Sequence, residues 1–271
     1  IVVADPADGT IVADELLPAG MRKVRTEIAT RAEHLWSPND PYLYDVTATL
    51  EFGAAKSQGK QEKLQQESQE IQEKPAKSQE KQDIVRSYCA FRTVEIKPDL
   101  KGIARFHLNG KPVFLKGVLD QGYWPDTGIT PPDEAALVKD IELAKSMGFN
   151  GFRKHQKVED ERALYYADIM GFVVWCELPS NHWSSDIASV QIAAEWLEIV
   201  RQNYNHPSLV AWVIFNESWG VRNIYTNERQ SNLATGLYYL TKSIDSMRPV
   251  VSNDGWMHAE SDILTLHHYE Q

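Results

Sequence analysis

The sequence has few cysteines, no long apolar run and too little positive charge, and each deficit excludes a class of protein. Two cysteines in 271 residues, Cys89 and Cys176, make neither a disulfide framework nor a zinc signature, so two free, buried thiols in different domains are expected. No segment approaches the roughly 20 apolar residues of a membrane-spanning helix. A net charge of −10 provides no field that attracts nucleic acid or an anionic membrane. Neither is expected as a partner, and because the chain begins at Ile1 its compartment, cytoplasmic or secreted, stays open.

The first part of the chain consists of short β-like runs. Segments such as IVVAD, IVADELL, KVRTEIA and LYDVTATLEF are rich in β-branched and aromatic residues, and Gly9, Gly20 and prolines at 38–41 separate them. This spacing predicts a small antiparallel sandwich over residues 1–96. Residues 54–83 interrupt it, because they are rich in Gln, Lys and Glu and have too little apolar area to offset their ordering entropy. They are predicted to be a solvated insertion without a catalytic role, with a coiled-coil arm or partner site as the alternative.

From residue 97 onward, strand-like and helix-like segments alternate. The predicted helices span about 133–147, 159–170, 187–204 and 227–246, and the strands are PVFLKGVLD, NGFRKH, FVVWCEL, LVAWVIF, PVVSND and DILTLHHY. Asp133 suits the N-cap of the first helix and Gly148 the position after its end. Alternation of this kind predicts parallel strands joined by right-handed crossovers. Strands that are continuously apolar have both faces covered.

Polar residues stand at the carboxyl ends of these strands. They are Asp120, Gln121, Arg153, Lys154, His155, Glu177, Asn216, Glu217, Asn253, Asp254, His267, His268 and Tyr269. In a (β/α)8 barrel such ends meet at one mouth, where active sites lie. No Gly-rich phosphate loop follows the first strand, which disfavours the doubly wound alternative. A TIM barrel is therefore predicted, incomplete because about six of its eight strands are found.

Glu217 is the strongest candidate for chemistry, since it ends the apolar run LVAWVIF. Apolar walls raise the pKa of a carboxyl, which suits a general acid. Asn216 offers an amide to a hydroxyl, and Trp219 offers a flat face to a sugar ring. Cleaving an acetal with retention needs a second carboxyl at about 5–5.5 Å.

Four segments in order resemble glycoside hydrolase family 2, the family of β-galactosidases, β-glucuronidases and β-mannosidases. They are LWSPNDPYLYDVTATL, FRTVEI, FHLNGKPVFLKGV and NHPSLVAWVIFNES, and the resemblance covers nearly the whole chain except 54–83. It implies an immunoglobulin-like sandwich for 1–96 and the N-terminal and central part of a TIM-barrel catalytic domain for 97–271. It also implies a retaining exo-β-glycosidase that acts on terminal β-linked sugars without a cofactor.

The resemblance also implies roles for single residues. Glu217 matches the acid/base, Asn216 the amide that holds the sugar 2-hydroxyl, Arg153 an arginine beneath the floor, and Tyr269 a tyrosine that hydrogen-bonds the nucleophile. The other residues expected to contact substrate are Asp120, Gln121, Trp124, His155, Gln156, Glu177, Trp219, Asn253, Trp256 and His267. The family pattern R-x-x-H-x-P is replaced by RKHQK, so Gln156 takes the His position and His155 is open to facing either the sugar or the core.

Metal ligands and a nucleophile are both missing from this pattern. CELPSNHW lacks the acidic residue and aligned His that bind magnesium in some β-galactosidases, so no metal site is expected, and His267 and His268 should point opposite ways. The family's nucleophile Glu comes from a seventh strand, and Glu270, next to Tyr269, should face the wrong side. The full-length protein is therefore expected to be an enzyme and these 271 residues alone to be inactive.

Two other functions remain open at this point. A catalytically inactive carbohydrate-binding or scaffold barrel is one, and a metal-dependent hydrolase built on His155, His182, His258, His267 and His268 is the other, although their spacing fits no metal motif. The sugar, its linkage and homo-oligomerisation of the full-length protein also stay open.

Overall fold

The structure is a computed structural model that describes residues 1–17, 20, 28–52 and 81–270. The chain divides into two compact units, Ile1–Arg31 with Tyr44–Tyr88 and Ala32–Leu43 with Cys89–Gln271. This division differs from the predicted boundary near residue 96. Trp36 explains part of the difference, since its fully buried indole donates to the carbonyl of Asp168 (2.8 Å) within the second unit.

The first unit contains one antiparallel sheet. Its strands are β1 (Val2–Ala4), β2 (Ile11–Asp14), β3 (Tyr44–Phe52) and β4 (Lys81–Cys89), in the order β2-β1-β3-β4. The predicted sandwich is not confirmed, because the described strands of this unit form a single sheet. The strand predicted at KVRTEIA and residues 54–80 of the predicted insertion lie largely or wholly outside the described residues. Residues 81–83 belong to β4 and not to the insertion.

The second unit begins with a small antiparallel sheet of β5 (Val94–Pro98), β6 (Ala104–Leu108) and β7 (Lys111–Pro112). Buried Val94 and Leu108 pack there with Trp36 and with Val173 and Val210, which belong to the parallel sheet described next. Both cysteines are free, as predicted, but both belong to the second unit and not to different domains. Cys176 is buried as expected, whereas Cys89 is only half-buried.

A five-stranded parallel sheet forms the body of the second unit. Its strands follow in chain order as β8 (Gly117–Asp120), β9 (Gly151–Lys154), β10 (Val173–Glu177), β11 (Leu209–Asn216) and β12 (Val250–Asp254). The connecting helices are α1 (Glu134–Ser146), α2 (Glu161–Met170), α3 (Asp186–Asn203) and α4 (Glu228–Ile244). All four predicted helices and the first five predicted strands are confirmed. Asp133 caps α1 by accepting from the Ala136 amide (2.8 Å), as predicted.

The sixth predicted strand is wrong. Within the described residues after Asp254, no strand is formed. The backbone there makes isolated bonds to β12 and its end, from the Asp262 amide to Val250 and from the His267 amide to Gly255. Leu264 and Leu266, which made the segment look like a buried strand, are exposed.

Burial on both faces explains the position of Asn216 and Glu217. Every residue of β11 is buried, so the strand has no side free for solvent. The Trp212 ring meets Trp196 of α3 edge to face, with centroids 5.7 Å apart. The first residues able to leave this packing are therefore those at its carboxyl end. In the parts of the chain that the structure describes, none of the helices is both long and apolar enough to cross a membrane.

Candidate active site

A left-handed turn at the end of β11 aims Glu217 away from the strand. Glu217 has φ +48° and Ser218 φ +61°, a region that costs a non-glycine residue about 1–3 kcal/mol. Asn253 of β12 offsets this cost, because its Oδ1 accepts from the Ser218 amide (2.8 Å) and its Nδ2 donates to the Ser218 hydroxyl (3.0 Å). The Glu217 amide donates to the Asp254 carbonyl (2.8 Å). Asn253 therefore fixes the turn from below.

One carboxylate oxygen of Glu217 carries the hydrogen bonds. Oε1 accepts from Nδ1 of His267 (2.7 Å) and from the hydroxyl of Tyr269, and no described residue donates to Oε2. Burial alone raises the pKa of Glu217, but the hydrogen bonds from Tyr269 and His267 and the charges of His267 and His155 hold it below its ordinary value. The prediction of a raised pKa is therefore wrong, because it ignored donors about 50 residues further along the chain.

His267 is positioned by a glycine at the end of β12. Gly255 has φ +96°, and a Cβ placed on it would lie 2.4 Å from the His267 ring. The His267 amide donates to the Gly255 carbonyl (3.0 Å). Its Nε2 lies 3.1 Å from Oδ2 of Asp254 and 3.2 Å from Nη1 of Arg153. His268 points to solvent, so the predicted opposite orientation of the two histidines is confirmed.

Arg153 joins the ends of three neighbouring strands. Its Nε donates to Glu177 of β10 (2.8 Å), its Nη2 to Oδ1 of Asn216 of β11 (2.5 Å), and its Nη1 pairs with Asp254 of β12 (2.7 Å). Each nitrogen of the guanidinium thus already has a partner. Arg153 and its partners Glu177, Asn216 and Asp254 form the floor of the candidate site. Arg153 orients these groups and has little capacity left for an anionic ligand.

His155 and Gln156 both reach this floor. Nδ1 of His155 lies 3.1 Å from Oε1 of Glu177 and 3.3 Å from Nη2 of Arg153, so His155 faces the mouth and not the core. Gln156, at φ +47°, donates its amide to Oε1 of Glu177 (3.1 Å) and accepts from the Ser180 amide (3.1 Å) through its side chain. Glu177 is fully buried by these contacts.

Asp120 lies apart from this cluster. Its Oδ2 is 2.5 Å from Nζ of Lys154, which also pairs with Glu159 (2.6 Å). Arg153 and Lys154 are consecutive in β9, so their side chains point to opposite faces. Asp120 pairs in register with Lys154 and shares its face, the one that α1 and α2 cover.

The remaining predicted contacts lie at different depths. Gln121 and Trp256 are exposed, Trp124 lies under Nζ of Lys157 (4.8 Å), and Asn253 is buried below the Glu217 turn. Trp219 is already in contact with Arg222 on its face and His182 at its edge.

Sequence reasoning did not single out three residues around the candidate site, which are Trp183, Arg222 and Gly255. A lone Arg and an isolated Trp in loops carry no local signal. Asp254 was recognised as a polar strand end but was not assigned to the site. Among residues 1–17, 20, 28–52 and 81–270, no group of three or more His, Cys, Asp or Glu side chains is placed to hold a metal ion.

Five parallel strands alternating with helices, with polar side chains at their carboxyl ends, fit a partial (β/α)8 barrel. A model of the glycosyl hydrolases family 2 TIM barrel domain matches residues 99–271. The chain belongs to glycosyl hydrolase family 2, which confirms the resemblance found in the sequence.

Individual relatives agree with this family. A β-galactosidase of Vibrio cholerae is 27% identical over 242 residues, 86% of this chain and 20% of that protein. A β-glucuronidase of Streptococcus agalactiae is 30% identical over 156 residues, 50% of this chain and 25% of that protein. The crystal structure of the Parabacteroides merdae β-glucuronidase superimposes with a TM-score of 0.67 at 21% identity, over 92% of this chain and 28% of that one. The chain thus spans 20–25% of the length of these curated relatives.

Proposed function

We propose that this chain carries the acid/base side of the active site of a retaining exo-β-glycosidase. The observation that carries the proposal is the Glu217 carboxylate at the end of β11, held through Oε1 while Oε2 is left for a proton. The names of the relatives, β-galactosidase and β-glucuronidase, support terminal β-linked sugars of these types as substrates.

The two carboxylate oxygens of Glu217 have different roles in this proposal. Oε1 is occupied by two donors, so the transferable proton resides on Oε2 and passes to the glycosidic oxygen of the leaving group. The resulting carboxylate then takes a proton from water in the second half of the reaction. The lowered pKa favours this ionised form, and a bound sugar that covers Glu217 opposes it by desolvation, which favours the acid form needed first.

Asn216 is oriented for a sugar hydroxyl by Arg153. Because its Oδ1 accepts from Arg153 Nη2 (2.5 Å), the Nδ2 amide is left to donate. In this proposal Asn216 holds the hydroxyl next to the reacting carbon, and Arg153 is a positioning residue. Tyr269 and His267 hold Glu217, while Trp256 and Gln121 are exposed and available to a ligand.

The second carboxylate is proposed to come from another part of the complete protein. Retention requires it about 5–5.5 Å from the acid/base. Among the described residues, Glu177 and Asp254 are both ion-paired with Arg153, and the exposed Glu270 lies near His268 (3.5 Å). These 271 residues alone are therefore expected to hydrolyse no glycoside.

The test uses the complete protein and a panel of nitrophenyl β-glycosides. Glu217→Gln should slow substrates with poor leaving groups by about 10²–10⁴-fold and activated aryl glycosides far less, since only the former need the proton. Glu198→Gln, an exposed carboxylate of α3, serves as the matched control and should leave both rates unchanged. An equal loss on both substrate types contradicts the acid/base role.

A carbohydrate-binding barrel without turnover is the second candidate. It is favoured by the pairing of both buried carboxylates beside Glu217 with Arg153. A complete protein that binds β-glycosides by calorimetry, yet turns over none of the panel, would support this candidate over the enzyme.

A further inference from the structure

Arg222 is a cation at the rim of the mouth that lacks an anionic partner. Its guanidinium carbon lies 4.7 Å from the ring centroid of Trp219 and 5.7 Å from that of Trp183. Among the described residues, no carboxylate or hydrogen-bond acceptor contacts it. Arg153, in contrast, is saturated by Glu177, Asp254 and Asn216. Arg222 is therefore the arginine of the mouth that is free to bind an anion.

The loops after β10 and β11 hold this arginine in place. Gly220 has φ +78°, and a Cβ on it would lie 2.7 Å from the carbonyl oxygen of Asn181, so the two loops touch. The His182 ring meets Trp219 edge to face, with centroids 5.3 Å apart. Trp183 remains 77% exposed. The rim thus presents a fixed aromatic wall and a stacked guanidinium to solvent.

Depth in the mouth indicates which part of a substrate meets this rim. Asn216 is 2% exposed, the Glu217 side chain 17% and Trp183 77%, so the exposure of Glu217 is intermediate between that of Asn216 and that of Trp183. The acid/base protonates the oxygen between the sugar that is cleaved off and the leaving group. The sugar beneath that oxygen meets the floor, and the leaving group meets the rim.

We propose that Arg222, whose guanidinium lies over the rings of Trp183 and Trp219, binds an oxyanion on the leaving group of the substrate, a carboxylate or a sulfate ester on a sugar ring. The aromatic contacts leave the N–H groups of the guanidinium without an acceptor among the described residues, and their planar arrangement matches the paired oxygens of such anions. The exposed face of Trp183 packs against the ring that carries the anion. This inference rests on the proposed function, because it assigns the outer part of the same site.

Binding is measured by calorimetry in the complete protein with Glu217→Gln, so that the ligand is not consumed. Three β-linked disaccharides with the same non-reducing sugar serve as probes, and their reducing unit is neutral, carboxylated or sulfated. Both anionic probes, or one of them, should bind at least about fivefold tighter than the neutral probe. The relative affinity of the carboxylated and sulfated probes identifies the source of the oxyanion.

Variants then assign the preference to Arg222. Arg222→Gln should reduce it to less than about twofold, and Arg222→Lys should retain part of it, because Lys keeps the charge but loses the planar fork. Arg201→Gln, which removes an exposed arginine of α3, is the matched control and should preserve the preference. Raising NaCl from about 50 to about 300 mM should weaken only the anionic probes.

Equal affinity for all three probes, or a preference that survives Arg222→Gln, would overturn this proposal. Neither result bears on the proposed function, which is judged by hydrolysis of nitrophenyl glycosides whose leaving group carries no oxyanion. Conversely, an anion preference in a protein that hydrolyses no glycoside would support the role of Arg222 and contradict the proposed glycosidase function.

Discussion

Arg153 and Lys154 are neighbours in β9, and each pairs with two carboxylates, but the two ion clusters lie on opposite faces of the same sheet. Arg153 pairs at the mouth with Glu177 and Asp254, and Lys154 pairs beneath the helices with Asp120 and Glu159. Both clusters are largely buried, and both lie at strand ends. The Arg153 cluster touches the residues that hold Glu217, through Asn216 and His267, whereas the Lys154 cluster touches none of them.

The difference shows that charge and burial do not identify a functional cluster. The Lys154 cluster lies beneath the helices α1 and α2, away from Glu217. A cluster of the same size becomes part of a site when the strand alternation turns it toward the mouth. Replacing Arg153 and Lys154 one at a time distinguishes an effect on the candidate site from an effect on stability alone.

The largest effect is expected from Arg153→Met. It leaves two carboxylates without their cation, which costs on the order of 3–5 kcal/mol of the free energy of unfolding, and it releases Asn216. Urea unfolding should show the stability loss. Turnover by the complete protein should also fall by at least about 10²-fold at a temperature where the variant is folded. A folded variant with normal turnover would mean that the floor has no role in positioning.

Lys154→Met should cost less free energy of unfolding than Arg153→Met, because Asp120 is partly exposed and Glu159 keeps its ion pair with Lys157 (3.1 Å). Turnover of the folded variant should change by less than about threefold, because no residue of the Glu217 network contacts Lys154. Circular dichroism supplies the folded fraction for the comparison. A loss of turnover as large as that of Arg153→Met would break the distinction between the two faces.

Gly255→Ala tests the mouth alone. The added methyl collides with the His267 ring and forces a non-glycine residue to φ +96°, which should cost about 1–3 kcal/mol of the free energy of unfolding. The displaced His267 no longer donates to Glu217. Turnover should therefore fall by more than the loss of folded protein accounts for. Gly128→Ala is the matched control, with φ +69° but open space around the glycine, and should lose stability without this loss of turnover. Equal turnover in the two variants would contradict the positioning of His267 by Gly255.

The smallest effect is expected from Tyr269→Phe and depends on pH. The Tyr269 hydroxyl helps to hold the pKa of Glu217 below its ordinary value. The contact therefore stabilises the folded state fully at any pH above that ordinary pKa. The contribution disappears as pH falls through the lower pKa of the folded state. The variant should therefore be less stable than the parent near pH 7, and the difference in urea midpoint should vanish at strongly acidic pH. A difference that is constant with pH would mean that Tyr269 acts by packing alone.

Local patterns predicted the elements of the second unit well. The apolar period of each helix and the continuous apolar strands depend on which residues are buried, and that information is contained in a few consecutive residues. The sixth strand was wrong because strand pairing joins distant segments, and for the same reason the sequence alone could not establish how the strands of the first unit pair. Nothing local in DILTLHHY distinguishes an extended segment beside β12 from a strand within the sheet.

The site was predictable in position but not in detail. Asn216, Glu217 and Arg153 were recognisable because polar residues interrupt apolar strands. Asp120 also ends an apolar strand. A shift of one residue in strand register would move its side chain to the other face of the sheet, and the sequence does not reveal the register. The pKa of Glu217 depends on His267 and Tyr269, whose approach is determined by Gly255 and the chain path.

The left-handed turn at Glu217 and Ser218 limits how this protein can be engineered for heat tolerance. Ser218→Gly relieves a backbone conformation that costs about 1–2 kcal/mol, and by that criterion it is an attractive stabilising change. It also removes the hydroxyl that Asn253 holds and loosens the peptide next to Glu217. Thermal robustness and the aim of the carboxylate are therefore in competition at a single residue.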